Sequence, residues 1–237
     1  MSKPIKALIV MTSVDTVPGI DRATGYYIDE MAAPYTALAD AGAEITLSSI
    51  AGGEPPIDPN SLPEEGERPE PVKRVLSDPI TQRALKTTVP IAALNGADYD
   101  VVYLPGGHGT MWDFRQSGEL ARVVSEAWRA GAIVGAVCHG PAGLIEATDA
   151  AGESIVKGRK VNGFTNEEEA KVGLDDAVPY LLETALREAG GAYEKGAPFD
   201  AYAVRDGNLI TGQNPASAEK VGALLVEALN ARHAKAA

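Results

Sequence analysis

A chain of 237 residues is long enough for one large α/β domain or two small ones, and connectivity has to decide between them. Its 33 acidic residues against 21 basic ones give a formal charge of −12, which opposes nonspecific attraction to nucleic-acid phosphates and anionic lipid, so neither is an expected partner. Hydrophobic residues make up 45% of the chain but aromatic ones only 5%, so the core is expected to be Ala, Val, Leu and Ile in close helix-on-sheet packing.

The first segment, MSKPIKALIVMTS, has a short apolar run and no small-residue cleavage site; it reads as a strand rather than a signal peptide, with the cytoplasm as the expected setting. No stretch approaches the roughly 20 apolar residues that span a bilayer. In GYYIDEMAAPYTALADAG, Ile28, Met31, Tyr35 and Leu38 recur at three- and four-residue steps, predicting a helix that Gly42 stops. EITLSSI reads as a second strand. Residues 51–77, AGGEPPIDPNSLPEEGERPEPVKRVLS, are dense in Pro and Glu and read as an insertion within one domain, since two strands and one helix before it are too little for a core. DYDVVYLPGG is a buried strand followed by the amphipathic GELARVVSEAWRAG, and AIVGAVCHG is another, followed by a short helix from Pro141. KVNGF reads as a strand and VPYLLETALREAGG as a helix with its proline in the first turn. AYAVRDGNLITGQ predicts a hairpin through Asp206-Gly207, and Asn214 is placed to cap the last helix, NPASAEKVGALLVEALNARH. Strands alternating with helices predict a doubly wound, mostly parallel sheet with helices on both faces, as one domain over residues 1–237.

The chain has one cysteine, so no internal disulfide is possible, and Cys138 is either core filler or chemistry. It falls in the turn between a strand buried on both faces and a helix opened by Pro141. In parallel sheets ligands collect beyond the carboxyl ends of the strands, so this turn is expected to present Cys138 to a site, with a helix N-terminus favouring its thiolate. Gly140 would supply the close backbone approach of a nucleophile elbow. The second glycine turn, Pro105-Gly106-Gly107-His108, ends another buried strand; the amides of Gly107 and His139 are expected to stabilise a substrate oxyanion, with Gly106 and His108 in the same turn. His108 also reads as a solvated loop residue. For proton transfer the early candidate is Glu30. Neighbouring residues on a helix point about 100° apart, so only one of Asp29 and Glu30 faces inward, and desolvation would raise the pKa of an inward glutamate. Glu167, Glu168 and Glu169 offer further carboxylates to orient His139, or simply a solvated helix start.

Taken together, GYYIDEMAAPY, DYDVVYLPGGHG, AVCHGPAGL, VNGFTNEEE and ITGQNPAS resemble, in order and separation, the ThiJ/PfpI superfamily within the class I glutamine-amidotransferase-like fold. The resemblance is strongest to its heat-shock chaperone and glyoxalase III branch. It implies a flavodoxin-like sandwich, a homodimer, Cys138 as nucleophile with His139 beside it, Glu30 as the acid contacting the thiol, and a third acid placed on Glu169. The implied reaction turns a small 2-oxoaldehyde, methylglyoxal, into lactate through a cysteine hemithioacetal, without glutathione, metal or organic cofactor. The distant His and Glu of the amidotransferases have no match, the other histidines being His108 and the terminal His233. Rival readings are a stress-responsive chaperone, a redox sensor built on an accessible low-pKa thiol, and an amidase or peptidase.

Overall fold

The computed structural model describes residues 4–236, with side chains to residue 232; His233 therefore lies outside the described side chains. Elements in chain order are β1 (Lys6–Met11), α1 (Ile28–Asp40), β2 (Glu44–Ser49), α2 (Glu70–Ser77), α3 (Pro79–Lys86), β3 (Val89–Pro90), β4 (Val101–Leu104), α4 (Thr110–Asp113), α5 (Gly118–Arg129) and β5 (Ile133–Val137). There follow β6 (Lys160–Val161), α6 (Asn166–Val172), α7 (Leu182–Glu188), β7 (Ala192–Tyr193), β8 (Ala203–Asp206), β9 (Leu209–Gly212) and α8 (Ala218–Ala236).

Seven strands form one sheet in the order β3-β2-β1-β4-β5-β9-β8, parallel except for the edge strand β8. From β1 the chain winds outward through β2 to β3 and then returns to the other side of β1 as β4, so the strand order reverses between β1 and β4. A crevice at such a reversal, beyond the carboxyl ends of the strands, is where doubly wound sheets bind ligands. β4 and β5 are buried at every position, as their unbroken apolar runs predict for strands covered on both faces. The scarcity of aromatics is met by close backbone approach: a Cβ at Gly222 of α8 would lie 3.2 Å from the Pro34 Cα of α1, and one at Gly135 of β5 would lie 2.9 Å from Leu225. Tyr103, fully buried in β4, donates its hydroxyl to the Glu30 carbonyl at 2.6 Å and so fixes α1 against the sheet.

Four expectations change. Residues 51–77 are tied to the start of α1 and end in a helix: the Tyr26 N–H donates to the Pro56 carbonyl and the Tyr26 carbonyl accepts the Asp58 N–H, both at 2.9 Å, and Ser61 Oγ accepts the otherwise free Ile28 N–H at the start of α1. α2 then buries Val72 and Val75. α3 and β3, in a stretch that shows no clear period, add a sheet edge. The strand in KVNGF exists as β6, but pairs only with β7 in a separate two-stranded sheet. Pro179 lies before α7, not in its first turn, because the helix begins at Leu182. The hairpin through Asp206-Gly207 joins β8 to β9. Asn214 precedes a 3-10 turn (Pro215–Ser217) leading into α8, and its Oδ1 accepts the Ser217 hydroxyl at 3.0 Å.

A residue remote from the crevice tests the packing. A Cβ at Gly96 would lie 1.8 Å from the Val123 carbonyl oxygen of α5, a backbone atom that cannot turn aside. Gly96→Ala should cost about 2–3 kcal/mol, read as a lowered urea midpoint with an unchanged m-value.

Candidate active site

The carboxyl ends of β4 and β5 meet through two turns. After Val137 the chain turns at Cys138, whose φ of 58° lies in the left-handed region, a conformation that costs a side-chain-bearing residue about 1–2 kcal/mol. Both backbone groups of Cys138 are held: its N–H donates to Gly212 at 2.9 Å, and its carbonyl accepts from Phe164 N–H at 2.8 Å. The neighbouring glycines are demanded by proximity. A Cβ at Gly140 would lie 2.1 Å from the Leu104 carbonyl oxygen, and one at Gly106 would lie 2.6 Å from His139 N and 2.7 Å from Glu30 Oε2. The expected helix after the cysteine is a five-residue 3-10 turn, Gly140–Leu144.

Around the Cys138 sulfur stand an acid and an imidazole. Glu30 faces inward and is wholly buried, whereas Asp29 is half-exposed. Glu30 Oε2 accepts the Gly106 N–H at 2.7 Å, and Oε1 is buried without a hydrogen-bond partner among the described residues. Burial pushes the Glu30 carboxyl up to about 8, against the opposing pull of the thiol and the Gly106 amide. On its other side the sulfur lies 3.3 Å from His139 Nδ1, and His139 Nε2 lies 2.7 Å from Glu169 Oε2. His108 Nε2 meets the other oxygen of the same carboxylate at 2.8 Å, and the two imidazole rings are 4.1 Å apart between centroids. An ionised carboxylate only accepts, so it assigns the Nε2 proton to both rings and leaves His139 Nδ1 as the acceptor facing the thiol. Although burial alone would raise it, Glu169 is held well below the usual carboxylate range by His139 and then His108. His108 is pushed down by burial and then by the neighbouring His139, which favours its uncharged form.

The three consecutive glutamates therefore separate by direction. Glu167 is on the surface near Lys171. Glu168 is an internal anchor, accepting from Thr165 N and Oγ1, Phe199 N, Gln213 Nε2 and Asn214 Nδ2 at 2.7–3.0 Å. Glu169 reaches the histidines. His108 is not a solvated loop residue, because its ring is packed between His139, Glu169 and Phe164. Two further expectations are corrected. Cys138 is 3% exposed, and its thiol is pushed well above the ordinary range by burial, then by Glu30 and the nearby Glu169 and Glu168 charges; desolvation and carboxylates outweigh whatever a single 3-10 turn offers a thiolate. The Gly106 amide is committed to Glu30 and is not available to a substrate oxygen. The Gly107 and His139 amides, by contrast, make no hydrogen bond within the described residues.

A cavity of about 230 Å³ is lined by the buried Gly107, Cys138 and His139 and by the more exposed Arg22, Asn60 and Phe199, with Glu30 and Glu169 behind the cysteine and histidine rather than in its lining. Sequence reasoning missed Arg22, Tyr27, Asp58, Asn60, Phe164 and Phe199. Asp58 and Asn60 come from the insertion, whose composition signals only irregularity, and Phe199 has a φ of 63° that no local pattern announces. The potential ligand atoms of His108, His139 and Glu169 lie within 4.8 Å of one another. As seated, each imidazole Nε2 is engaged with one oxygen of the Glu169 carboxylate, at 2.8 Å from His108 and 2.7 Å from His139.

The carboxyl, thiol and imidazole at a strand-end elbow have the order and spacing the five motifs imply, and residues 24–228 match the DJ-1/PfpI family. The chain belongs to this family. Among DJ-1/PfpI relatives, it is 32% identical over 225 residues to glyoxalase 3 of Candida albicans, covering 91% of this chain and 94% of that protein. It is 31% identical over 236 residues to the glutathione-independent glyoxalase HSP31 of Saccharomyces cerevisiae, covering 95% and 98%. The crystal structure of glyoxalase III from Candida albicans superposes with a TM-score of 0.86 at 29% identity, covering 94% of this chain and 97% of that one. The Rapid Encystment Protein 24 kDa of Francisella tularensis superposes with a TM-score of 0.90 at 36% identity, covering 95% and 99%. The mostly parallel seven-stranded sheet is thus the DJ-1/PfpI fold.

Two variants test the electrostatics and the strain. Glu30 binds its proton more tightly in the folded chain than in the unfolded one, so its burial destabilises increasingly as pH rises from the ordinary glutamate range to about 8. Glu30→Gln, which keeps an acceptor for Gly106, should melt several degrees above the parent at pH 9, with the gap closing towards pH 5. At the elbow, Cys138→Gly should be more stable than Cys138→Ala by about 1 kcal/mol in urea titrations, reversing the usual order of the two residues.

Proposed function

We propose that the protein is a glutathione-independent glyoxalase of the cysteine type, converting a small 2-oxoaldehyde such as methylglyoxal into the 2-hydroxy acid. The observation that carries this reading is the seating of one thiol between a high-pKa carboxyl and an imidazole whose far nitrogen is tied to a second carboxylate. The similarity to proteins named glyoxalase 3 and glutathione-independent glyoxalase supports it.

The resting thiol is neutral, so attack needs a base, and His139 Nδ1 at 3.3 Å is in place to take the S–H proton while Glu169 steadies the imidazolium. Sulfur adds to the aldehyde carbon. The Gly107 and His139 amides are the free donors for the oxygen that becomes anionic, giving a hemithioacetal. Glu30 in its ionised form then removes the hydrogen from that carbon, giving an enediol, and returns it to the adjacent carbon. The former aldehyde carbon is thereby oxidised to a thioester and the former ketone reduced to an alcohol. Water, activated by His139, releases the 2-hydroxy acid and restores the thiol, so the net change is addition of one water. His108 holds the second oxygen of Glu169 and thereby fixes how that carboxylate meets His139.

Redox sensing fits less well, since oxidation requires a solvent-facing thiolate and Cys138 is buried and neutral. No described helix is long and apolar enough to cross a membrane. The cytoplasmic setting and the homodimer are part of the proposal, the homodimer on the motif resemblance alone.

Reduced protein incubated with methylglyoxal and no glutathione should form lactate, with D- and L-lactate measured separately. Cys138→Ser should lose about a thousandfold or more, and Glu30→Gln about a hundredfold or more. Absence of lactate from the parent protein would overturn the reading. The Glu30 base works only when ionised, so kcat/KM should climb with pH through about 8, and this limb should vanish from the residual rate of Glu30→Gln.

A further inference from the structure

Arg22 stands at the outer part of the catalytic cavity, in a protein whose charge is −12. Several arginines pair with carboxylates, as Arg74 does with Asp40, Arg115 with Glu146 and Arg187 with Glu183, whereas Arg83, on the exposed side of α3, has no ion pair among the described residues and lines no part of this cavity. Among the described residues the Arg22 guanidinium has neither an ion pair nor a hydrogen bond, although carboxylates are abundant. Its mount is fixed. The Thr16–Ala23 bridge closes a small loop in which Arg22 accepts from Val17 N–H at 2.9 Å and donates its own N–H to Ile20 at 3.0 Å; Thr24 then hydroxyl-bonds to Asp58.

The one carboxylate of the insertion that lines the same cavity, Asp58, is already engaged: it accepts from Thr24 Oγ1 at 3.2 Å and from Asn60 N and Nδ2 at 2.9 and 3.0 Å. It does not neutralise Arg22. The Arg22 charge is felt within the site, where it contributes to lowering the His108 pKa. The sulfur belongs to the buried part of the cavity lining and Arg22 to the more exposed part, so an aldehyde joined to sulfur leaves the substituent beyond the ketone room to extend toward the exposed residues that include Arg22.

We propose that Arg22 is a specificity-determining residue that recognises an anionic group, so that the site prefers 2-oxoaldehydes carrying a carboxylate beyond the ketone over the uncharged methyl compound. This rests on the glyoxalase reading for its substrate class, but the anion preference itself does not depend on turnover. A partly desolvated guanidinium–carboxylate hydrogen bond is a charge-assisted one, worth roughly tenfold or more in relative rate or affinity.

The test uses two pairs of probes. Alkylation of Cys138 by iodoacetate and by iodoacetamide, followed by mass spectrometry, compares an anionic with a neutral reagent at the same sulfur. Arg22→Met should lower the iodoacetate-to-iodoacetamide rate ratio by about tenfold, Arg22→Lys should recover part of it, and Arg83→Met, removing a charge from the exposed side of α3, should leave the ratio at the parent value. In parallel, the ratio of kcat/KM for 4,5-dioxopentanoate to that for methylglyoxal should fall by a similar factor in Arg22→Met. An alkylation ratio that Arg22→Met does not move, or that Arg83→Met moves equally, would overturn the proposal. If neither 2-oxoaldehyde is turned over while the alkylation ratio responds to Arg22, the glyoxalase reading fails and the anion site stands.

Discussion

The hydrogen bond from the Gly106 amide to Glu30 Oε2 ties together three things the site requires: the end of β4, the first turn of α1 and the underside of the cysteine elbow. It exists because Gly106 has no side chain; a Cβ there would collide with both the carboxyl it serves and the His139 amide behind it. One N–H does not compensate a wholly buried carboxylate, which is why the acid is left with a raised pKa and an oxygen lacking an ordinary partner. That incomplete solvation is what makes it a stronger base than a surface glutamate. The same turn leaves the next amide, Gly107, without a partner among the described residues, so one glycine pair supplies both the restraint on the acid and an uncommitted donor in the cavity lining.

Two carboxyl groups approach the same cysteine–histidine pair, and their surroundings drive them in opposite directions. Glu30 sits among apolar groups with a single amide and is pushed up; Glu169 sits between two imidazole N–H donors and is held down. Such divergence separates a proton carrier from a permanent anion. Glu169 orients His139 so that Nδ1 faces sulfur. It is suited to stabilise an imidazolium without taking its proton. Cys138 remains a thiol at rest chiefly because burial makes a negative charge on the sulfur expensive, with Glu30, Glu169 and Glu168 adding to that cost.

The fold and the inner members of the site were legible because they follow from local periodicity. Alternating apolar strands and amphipathic helices prescribe the wound sheet, and Cys138, His139 and Gly107 lie at strand ends, where topology points them toward one crevice. For Glu30, helical spacing said that only one of Asp29 and Glu30 faces inward, and the resemblance said which; the half-exposed Asp29 and the buried Glu30 agree with both. Glu169 needed the family resemblance, since helical spacing says that three consecutive glutamates diverge without saying which one meets His139. Burial had no such local signature. Whether the thiol would be ionised depended on Glu30, Glu168 and Glu169, which are remote from Cys138 in sequence, and a helix end judged alone gave the wrong sign. The outer cavity was hidden for a related reason: Arg22, Asp58 and Phe199 are placed by loop geometry and long-range hydrogen bonds, not by a repeat.

Glu168 shows how the outer and inner parts of the cavity are coupled. One residue before Glu169, it takes the Thr165 backbone and hydroxyl donors at the start of α6 and thereby fixes the rotation of the first helical turn. Neighbouring side chains diverge by about 100°, so fixing Glu168 in the interior turns Glu169 toward the histidines. The same Glu168 carboxylate accepts the N–H of Phe199, holding that residue in its left-handed conformation with its ring at the cavity wall near Phe164. Gln213 and Asn214, just beyond β9, complete the anchor. A carboxylate that touches neither sulfur nor substrate thus positions both the anion behind His139 and an aromatic wall of the cavity, and the second of these has no counterpart in the local sequence pattern around Phe199.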